Sequence, residues 1–202
     1  MAAASPKTGT AKSTGTKRRL AELAAQIRAC TKCPLHRSRT VAVPGDGVPS
    51  ATVMVIGEAP GAEEDKSGHP FVGAAGRLLD QTLADSGLSR DRLFITNVVK
   101  CRPPRNRPPR KAEVETCTSH YLFEQIASVN PRLVLLLGGV AAKTLLGVPS
   151  LNAARGRPIE RDGRTYLVGY HPAAAFYRGD VGEKVKEDFA LLLRELRKLD
   201  RP

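Results

Sequence analysis

RLVLLLG, residues 132–138, decides the fold. Its apolar residues run without alternation and end at a glycine, which is the pattern of a strand buried on both faces at the centre of a sheet. Three further short runs share its character: TVMVIG (52–57), LFITNVV (93–99) and RTYLVGY (164–170). Each is short and rich in β-branched residues, as strands are. Between them lie segments with helical spacing of apolar residues: AAGRLLDQTLADSG, KAEVETCTSHYLFEQIASV and GVAAKTLLG. DVGEKVKEDFALLLRELRKL closes the chain as a long amphipathic helix, and LAELAAQIRAC, with Leu20, Leu23, Ala24 and Ile27 in phase, opens it. Strands alternating with helices predict an α/β protein of three αβα layers around a central, mainly parallel, four-stranded sheet. Ligands of such sheets bind beyond the carboxyl ends of the strands. The segments to question are therefore GEAPG, NVVKCRPP, GGVAAKT and HPAAAFYR.

The 202 residues, 41% hydrophobic, suffice for one core. A formal charge of +12 favours a polyanionic partner, nucleic acid ahead of a membrane surface. No apolar run is long enough to span a bilayer and no secretory signal stands at the start, so a cytoplasmic protein is expected. Residues 1–19 hold no acid and are rich in Ala, Ser, Thr, Lys and Gly. They predict a disordered basic tail ahead of one domain over 20–202. Only two arginines and no apolar face separate this tail from an organellar transit peptide.

Four cysteines are present: Cys30 and Cys33 as C-x2-C, then Cys101 and Cys117. CTKCP is polar and Cys101 lies in KCRPPRNRPPRK (100–111), a segment of six basic residues, four prolines and no acid. Neither setting suits a thiol used as core filling, and four thiolates suit metal ligation. Zinc and an iron-sulfur cluster both accept four thiolates, and spacing alone leaves both open. No nucleotide-binding fingerprint fits: G-x-G-x-x-G is missing, and GGVAAKT has Ala142 where a phosphate loop has glycine.

GEAPG, then EED, HPFVG and AAGRLLD, followed by TNVVKCRPP and GYHPAA, together resemble the iron-sulfur family 4 of uracil-DNA glycosylases from about Leu20 to Leu199. The four cysteines are similar to that family's ligands, so the resemblance implies a [4Fe-4S] cluster on Cys30, Cys33, Cys101 and Cys117. It also implies a uracil-DNA glycosylase-like fold and a monofunctional enzyme that releases uracil from DNA, single- or double-stranded, leaving an abasic site. A monomer associated with the nucleoid is the expected form.

The residues are consistent with that chemistry. A flipped base needs a flat surface and a partner for its edge. Phe71 supplies the first, and Asn97, with carbonyl and amide in one plane, suits uracil N3 and O4 and disfavours cytosine. Gly57 and Ala59 line the backbone approach. By resemblance, His171 donates to uracil O2 as negative charge develops. Glu58 is the candidate to orient or activate water or to stabilise the sugar cation. Better-known uracil glycosylases have an aspartate where Ala59 stands. Glu64 is expected to crowd a C5-methyl and reject thymine. Phe176, Tyr177 and Arg178 form the expected wedge into the minor groove, and Arg102, Arg105, Arg107 and Arg110 are expected on phosphates.

The alternative is a non-catalytic zinc or iron-sulfur nucleic-acid-binding module, against which the trio Glu58, Asn97 and His171 at three strand ends argues. Relatives that become covalently trapped carry a further histidine in a basic insert. The interval RPPRNRPPRKAEVET has none, which favours turnover.

Overall fold

The computed structural model describes residues 9–177 and 179–199. Six strands form one sheet in the order β1-β3-β2-β4-β6-β5. The four expected strands are its centre: β2 (Val53–Gly57), β3 (Leu93–Asn97), β4 (Leu133–Leu137) and β6 (Arg164–Gly169), all parallel. Two short antiparallel strands, β1 (Asp46–Gly47) and β5 (Ile159–Arg161), add to the edges. They extend the expected four-stranded sheet to six. Two or three residues are too few for any period to show in sequence, and both strands are partly or fully exposed.

Every residue of β2, β3 and β4 is buried. Because successive strand side chains point to opposite faces, the even-numbered residues Met54, Ile56, Val134, Leu136 and Val168 enter one core and Val53, Val55, Leu133, Leu135, Leu137 and Leu167 enter another. The first core is closed by α1 (Gly9–Ala29), α4 (Lys111–Cys117), α5 (Phe123–Val129) and α6 (Gly139–Leu146). The second is closed by α3 (Ala74–Asp85) and α7 (Val181–Leu199). The result is the three-layer αβα arrangement.

Three elements differ from expectation. Helix α1 begins at Gly9 instead of near Leu20. Of the segment expected as a disordered tail, residues 1–8 lie outside the described residues and 9–19 are helical, with side chains from Thr14 to Arg19 largely exposed. Leu23 and Ile27 anchor the helix in the core, and extending an existing helix costs far less than starting one. The single helix expected over 111–129 is α4 and α5 joined through a π-helical turn, Thr118–Leu122. A six-residue helix, α2 (Ala62–Ser67), occupies the segment after GEAPG that reads as a turn. Its length is below what periodicity detects, but its acidic first turn, Glu63, Glu64 and Asp65, suits a helix N-terminus.

Leu135 is fully buried at the centre of the sheet. Leu135→Ala should lower stability by about 2–5 kcal/mol. A urea transition whose midpoint is unmoved would show that the sheet centre is not close-packed.

Candidate functional site

The strand ends meet at one cavity of about 330 Å³, within the range of small-molecule sites. Glu58 and Ala59 follow β2, Asn97 ends β3, and His171 follows β6. Glu64 and Phe71 reach it from the loop around α2.

Glu64 builds that loop. Its carboxylate accepts the N–H groups of Gly61 (3.0 Å), Val72 (2.8 Å) and Gly73 (2.8 Å). The bond to Gly61 is the reaching-back half of a capping box at the start of α2. The other two bonds hold the HPFVG segment against GEAPG. The same carboxylate lines the cavity, where it was expected to oppose a methyl group, but all three of its bonds serve the backbone.

Between those anchors Phe71 takes φ 52, a left-handed conformation costly for a bulky residue. Two devices hold it there. Arg90 donates to the Phe71 carbonyl (2.9 Å), to the Pro70 carbonyl and to Asp80 (3.0 Å). Gly76 leaves room for the Phe71 carbonyl, which would stand 1.8 Å from any Cβ at that position. Gly57 does the same for the ring: a Cβ there would lie 2.6 Å from Phe71 Cζ and 2.5 Å from Asn97 Oδ1. A strained aromatic fixed against a cavity marks a functional position. Arg90 was not identified from sequence, since one arginine in SRDR carries no sign of its carbonyl partners.

Asn97 is 2% exposed, and among the described residues its Oδ1 has no hydrogen-bond partner. An orphaned buried acceptor costs about 1–3 kcal/mol unless a ligand relieves it. His171 stacks on Phe71 with ring centroids 5.5 Å apart and an interplanar angle of 25°. The Ala173 N–H donates to its Nδ1 (3.2 Å), so Nε2 carries the proton of the neutral ring. Burial depresses its pKa to about 4, the Glu64 carboxylate pulling the other way. Glu58 is shifted oppositely: burial raises its carboxyl above the ordinary range. The backbone before His171 is pinned from α7, where buried Asp188 accepts the Tyr170 N–H (2.8 Å) and Arg155 Nε (2.7 Å).

The four cysteines, of which Cys101 belongs to the NVVKCRPP segment, are free of disulfides. Cys30 and Cys33 are partly exposed, and Cys101 and Cys117 are buried. Donors point at their sulfurs: Arg39 Nη1 at Cys101 (3.0 Å), the Lys100 N–H at Cys117 (3.3 Å) and the Lys32 N–H at Cys30 (3.5 Å). The thiols sit close enough to oppose one another's ionisation, and burial pushes Cys117 up to about 11. Among the described residues no three Cys, His, Asp or Glu side chains are grouped to hold a single metal ion.

Residues 44–197 match the uracil DNA glycosylase superfamily. The chain is 43% identical to a type-4 uracil-DNA glycosylase of Pyrobaculum aerophilum over 82% of its own length and 88% of the relative's. This chain belongs to the type-4 uracil-DNA glycosylases. A second such glycosylase, of Archaeoglobus fulgidus, is 41% identical over 84% of this chain and 89% of its own. That of Thermotoga maritima is 41% identical over 78% and 84% respectively.

In this glycosylase the basic loop divides into residues facing outward and residues bound within the protein. Arg105 and Arg110 are exposed. Arg102 Nε donates to Asn106 Oδ1 (2.7 Å). Arg107, expected on a phosphate, instead lines the cavity and makes two bonds of 2.7 and 2.8 Å to the buried carboxylate of Glu113. Lys100, read as part of the basic surface, is fully buried. Tyr177 is 86% exposed beside the cavity and Phe176 is 54% exposed, a placement compatible with a wedge. Arg178 lies outside the described residues.

The histidine carries a pH signature. The unfolded chain takes up a proton near pH 6.5, whereas folded His171 refuses it until about 4, so its contribution to stability is lost as pH falls through that window. His171→Gln should remove ~2–3 kcal/mol of that acid loss. Parallel stability–pH curves for the two proteins between those limits would show that His171 is not held neutral.

Proposed function

We infer that this protein hydrolyses the N-glycosidic bond of uracil in DNA, releasing the free base and leaving an abasic site. One observation carries the reading: a single cavity at the strand ends joins a strained aromatic, an amide with an unsatisfied acceptor and a neutral histidine whose Nε2 bears the proton.

Phe71 offers its ring to a base swung out of the stack, and the Asn97 amide pairs with the uracil N3–H and O4. As the C1′–N1 bond breaks, its electron pair passes to the uracil ring and O2 becomes anionic. His171 Nε2–H donates to that oxygen. A donor that is neutral beforehand loses nothing to solvent and remains available down to mildly acidic pH. The sugar becomes cationic at C1′, and the ionised Glu58 carboxylate stabilises it and orients the water whose oxygen bonds to C1′. The water's proton is lost on that path and the uracil anion is protonated on release. Glu64 fixes the loop that shapes the base pocket, and its place on the cavity lining supports a further part in excluding a C5-methyl.

Cys30, Cys33, Cys101 and Cys117 would hold a [4Fe-4S] cluster. N–H donors on the sulfurs of Cys30, Cys101 and Cys117 fit thiolate ligation, and membership of the type-4 glycosylases supports a cluster over one zinc ion. Bound there, the cluster would supply structural cross-linking of the α1 end, the basic loop and α4. Arg105, Arg110 and the aromatic pair Phe176 and Tyr177, with Arg178 next in sequence, would then engage DNA.

Excision from an oligonucleotide containing one uracil, read by alkaline scission under single turnover, tests the reading. The wild type should cut at uracil and spare thymine, and His171→Gln should slow excision about 10²–10³-fold. Glu58→Gln should slow it too and remove the acid limb of the rate profile, because burial raises the pKa through which that carboxylate ionises. No scission by iron-loaded wild type would leave a binding module instead. For the loop, Arg105→Ala and Arg110→Ala should each reduce the log–log salt slope of duplex binding by about 0.9. Unchanged slopes would take both residues off the phosphates.

A further inference from the structure

We propose that Lys100 is a positioning residue that ties the cysteine centre to base recognition, holding Asn97 through its ammonium and Cys117 through its backbone. The inference rests on the uracil reading above.

Lys100 is 1% exposed, one of the largest fully buried side chains in the protein. Its Nζ donates to Thr96 Oγ1 (2.6 Å) and to the backbone carbonyl of Asn97 (2.7 Å). Its N–H donates to Cys117 Sγ (3.3 Å), and its carbonyl accepts the Val43 N–H (2.8 Å). One residue therefore contacts the end of β3, the end of α4 and the segment before β1.

Thr96 is held in turn. Its hydroxyl donates to the Pro44 carbonyl (3.1 Å), which also receives the Gln125 amide (2.7 Å). The β3 terminus is thus fixed by a buried polar network whose one cation is Lys100.

Burying an ammonium costs several kcal/mol unless it is paired. Among the described residues no carboxylate pairs with Lys100, and the oxygens it meets are neutral. Methionine would fill the space without the cost. A polar terminus here is explained by what it holds: the backbone of the residue whose amide reads the base, reached from the same residue whose N–H meets the cysteine centre.

The consequence separates two jobs of the centre. Through the Arg102–Arg110 loop it serves DNA affinity, and through Lys100 it serves affinity for the base itself. Free uracil, which makes no phosphate contact, isolates the second job.

The test compares wild type and Lys100→Met, both iron-loaded and folded, in three measurements: iron content, affinity for a duplex bearing an abasic-site analogue, and inhibition by free uracil. Lys100→Met keeps the backbone N–H to Cys117. Iron content and duplex affinity should stay within twofold, while the inhibition constant for uracil rises at least tenfold and the single-turnover rate falls. Uracil inhibition within twofold of wild type would overturn the proposal. So would equal losses of duplex and uracil affinity, which indicate general loosening. Should Lys100→Met not accumulate as folded protein, Thr96→Val removes one acceptor of the ammonium while keeping side-chain shape. A threefold or greater loss of uracil affinity then supports the assignment, and no change overturns it. A wild type that neither excises nor binds uracil would instead defeat the functional reading on which the assignment rests.

Discussion

Because helices cover both faces of the four parallel strands, no side chain along the length of β2, β3 or β4 reaches water, and polar chemistry is confined to where the strands stop. That constraint organises the protein. Glu58, Asn97 and His171 lie at or just past three such ends, and they meet because parallel strands end on the same side. The loops that close this edge are backbone-rich, and a buried backbone must have its donors satisfied. Glu64 meets that need for three N–H groups at once, Arg90 for two carbonyls, and Asp188 for the N–H that precedes His171. The cavity is therefore a consequence of how a two-sided sheet terminates, with its shape fixed by charged side chains whose bonds serve the backbone.

The four central strands, the long helices and the strand-end positions of Glu58, Asn97 and His171 were legible in sequence because each carries a local signal: an unbroken apolar run, a helical period, or a polar residue close after a strand. What stayed hidden depends on partners distant in the chain. Glu64 stands three residues after the Gly61 whose N–H it accepts, so half of its role is written locally, but its bonds to Val72 and Gly73 are not. Arg90 reaches back to residues 70 and 71, and Arg155 acts on Asp188 across the α7 packing. Lys100 and Arg107 show the limit most sharply. Inside KCRPPRNRPPRK both look like members of one basic surface, yet one is entirely buried and the other is locked to a buried glutamate. Charge composition records how many cations a segment has and says nothing of which way each points.

Electrostatics at the site follow from its dryness. Burial disfavours charge on every group it covers, lowering the histidine and raising the carboxyl. The two shifts suit one reaction. A histidine kept neutral and oriented by Ala173 is a hydrogen-bond donor ready for an oxygen that gains negative charge only in the transition state. A carboxylate that is costly to ionise in the free pocket recovers that cost when a sugar cation forms beside it. Both interactions strengthen as the bond breaks and are weak before it, which is the condition for lowering a barrier instead of only tightening binding.

The same logic explains why the cysteine centre lies so close to the base pocket. A neutral pocket that reads a base by one amide needs that amide held to within a fraction of an ångström, and a strand terminus frays unless something beyond it is rigid. The segment after β3 is rich in proline and arginine and has no apolar side chain from Arg102 to Lys111 apart from its prolines, so it cannot secure itself by core packing. In the proposed centre, cross-linking through Cys101 and Cys117 would supply the rigidity that a hydrophobic anchor supplies elsewhere. It does so without removing the exposed arginines that a polyanion requires. Arg39 Nη1 and the Lys100 N–H donate to the sulfurs of Cys101 and Cys117. Support of the cysteine sulfurs and of the Asn97 backbone thus converges on the residues between Asn97 and Cys101.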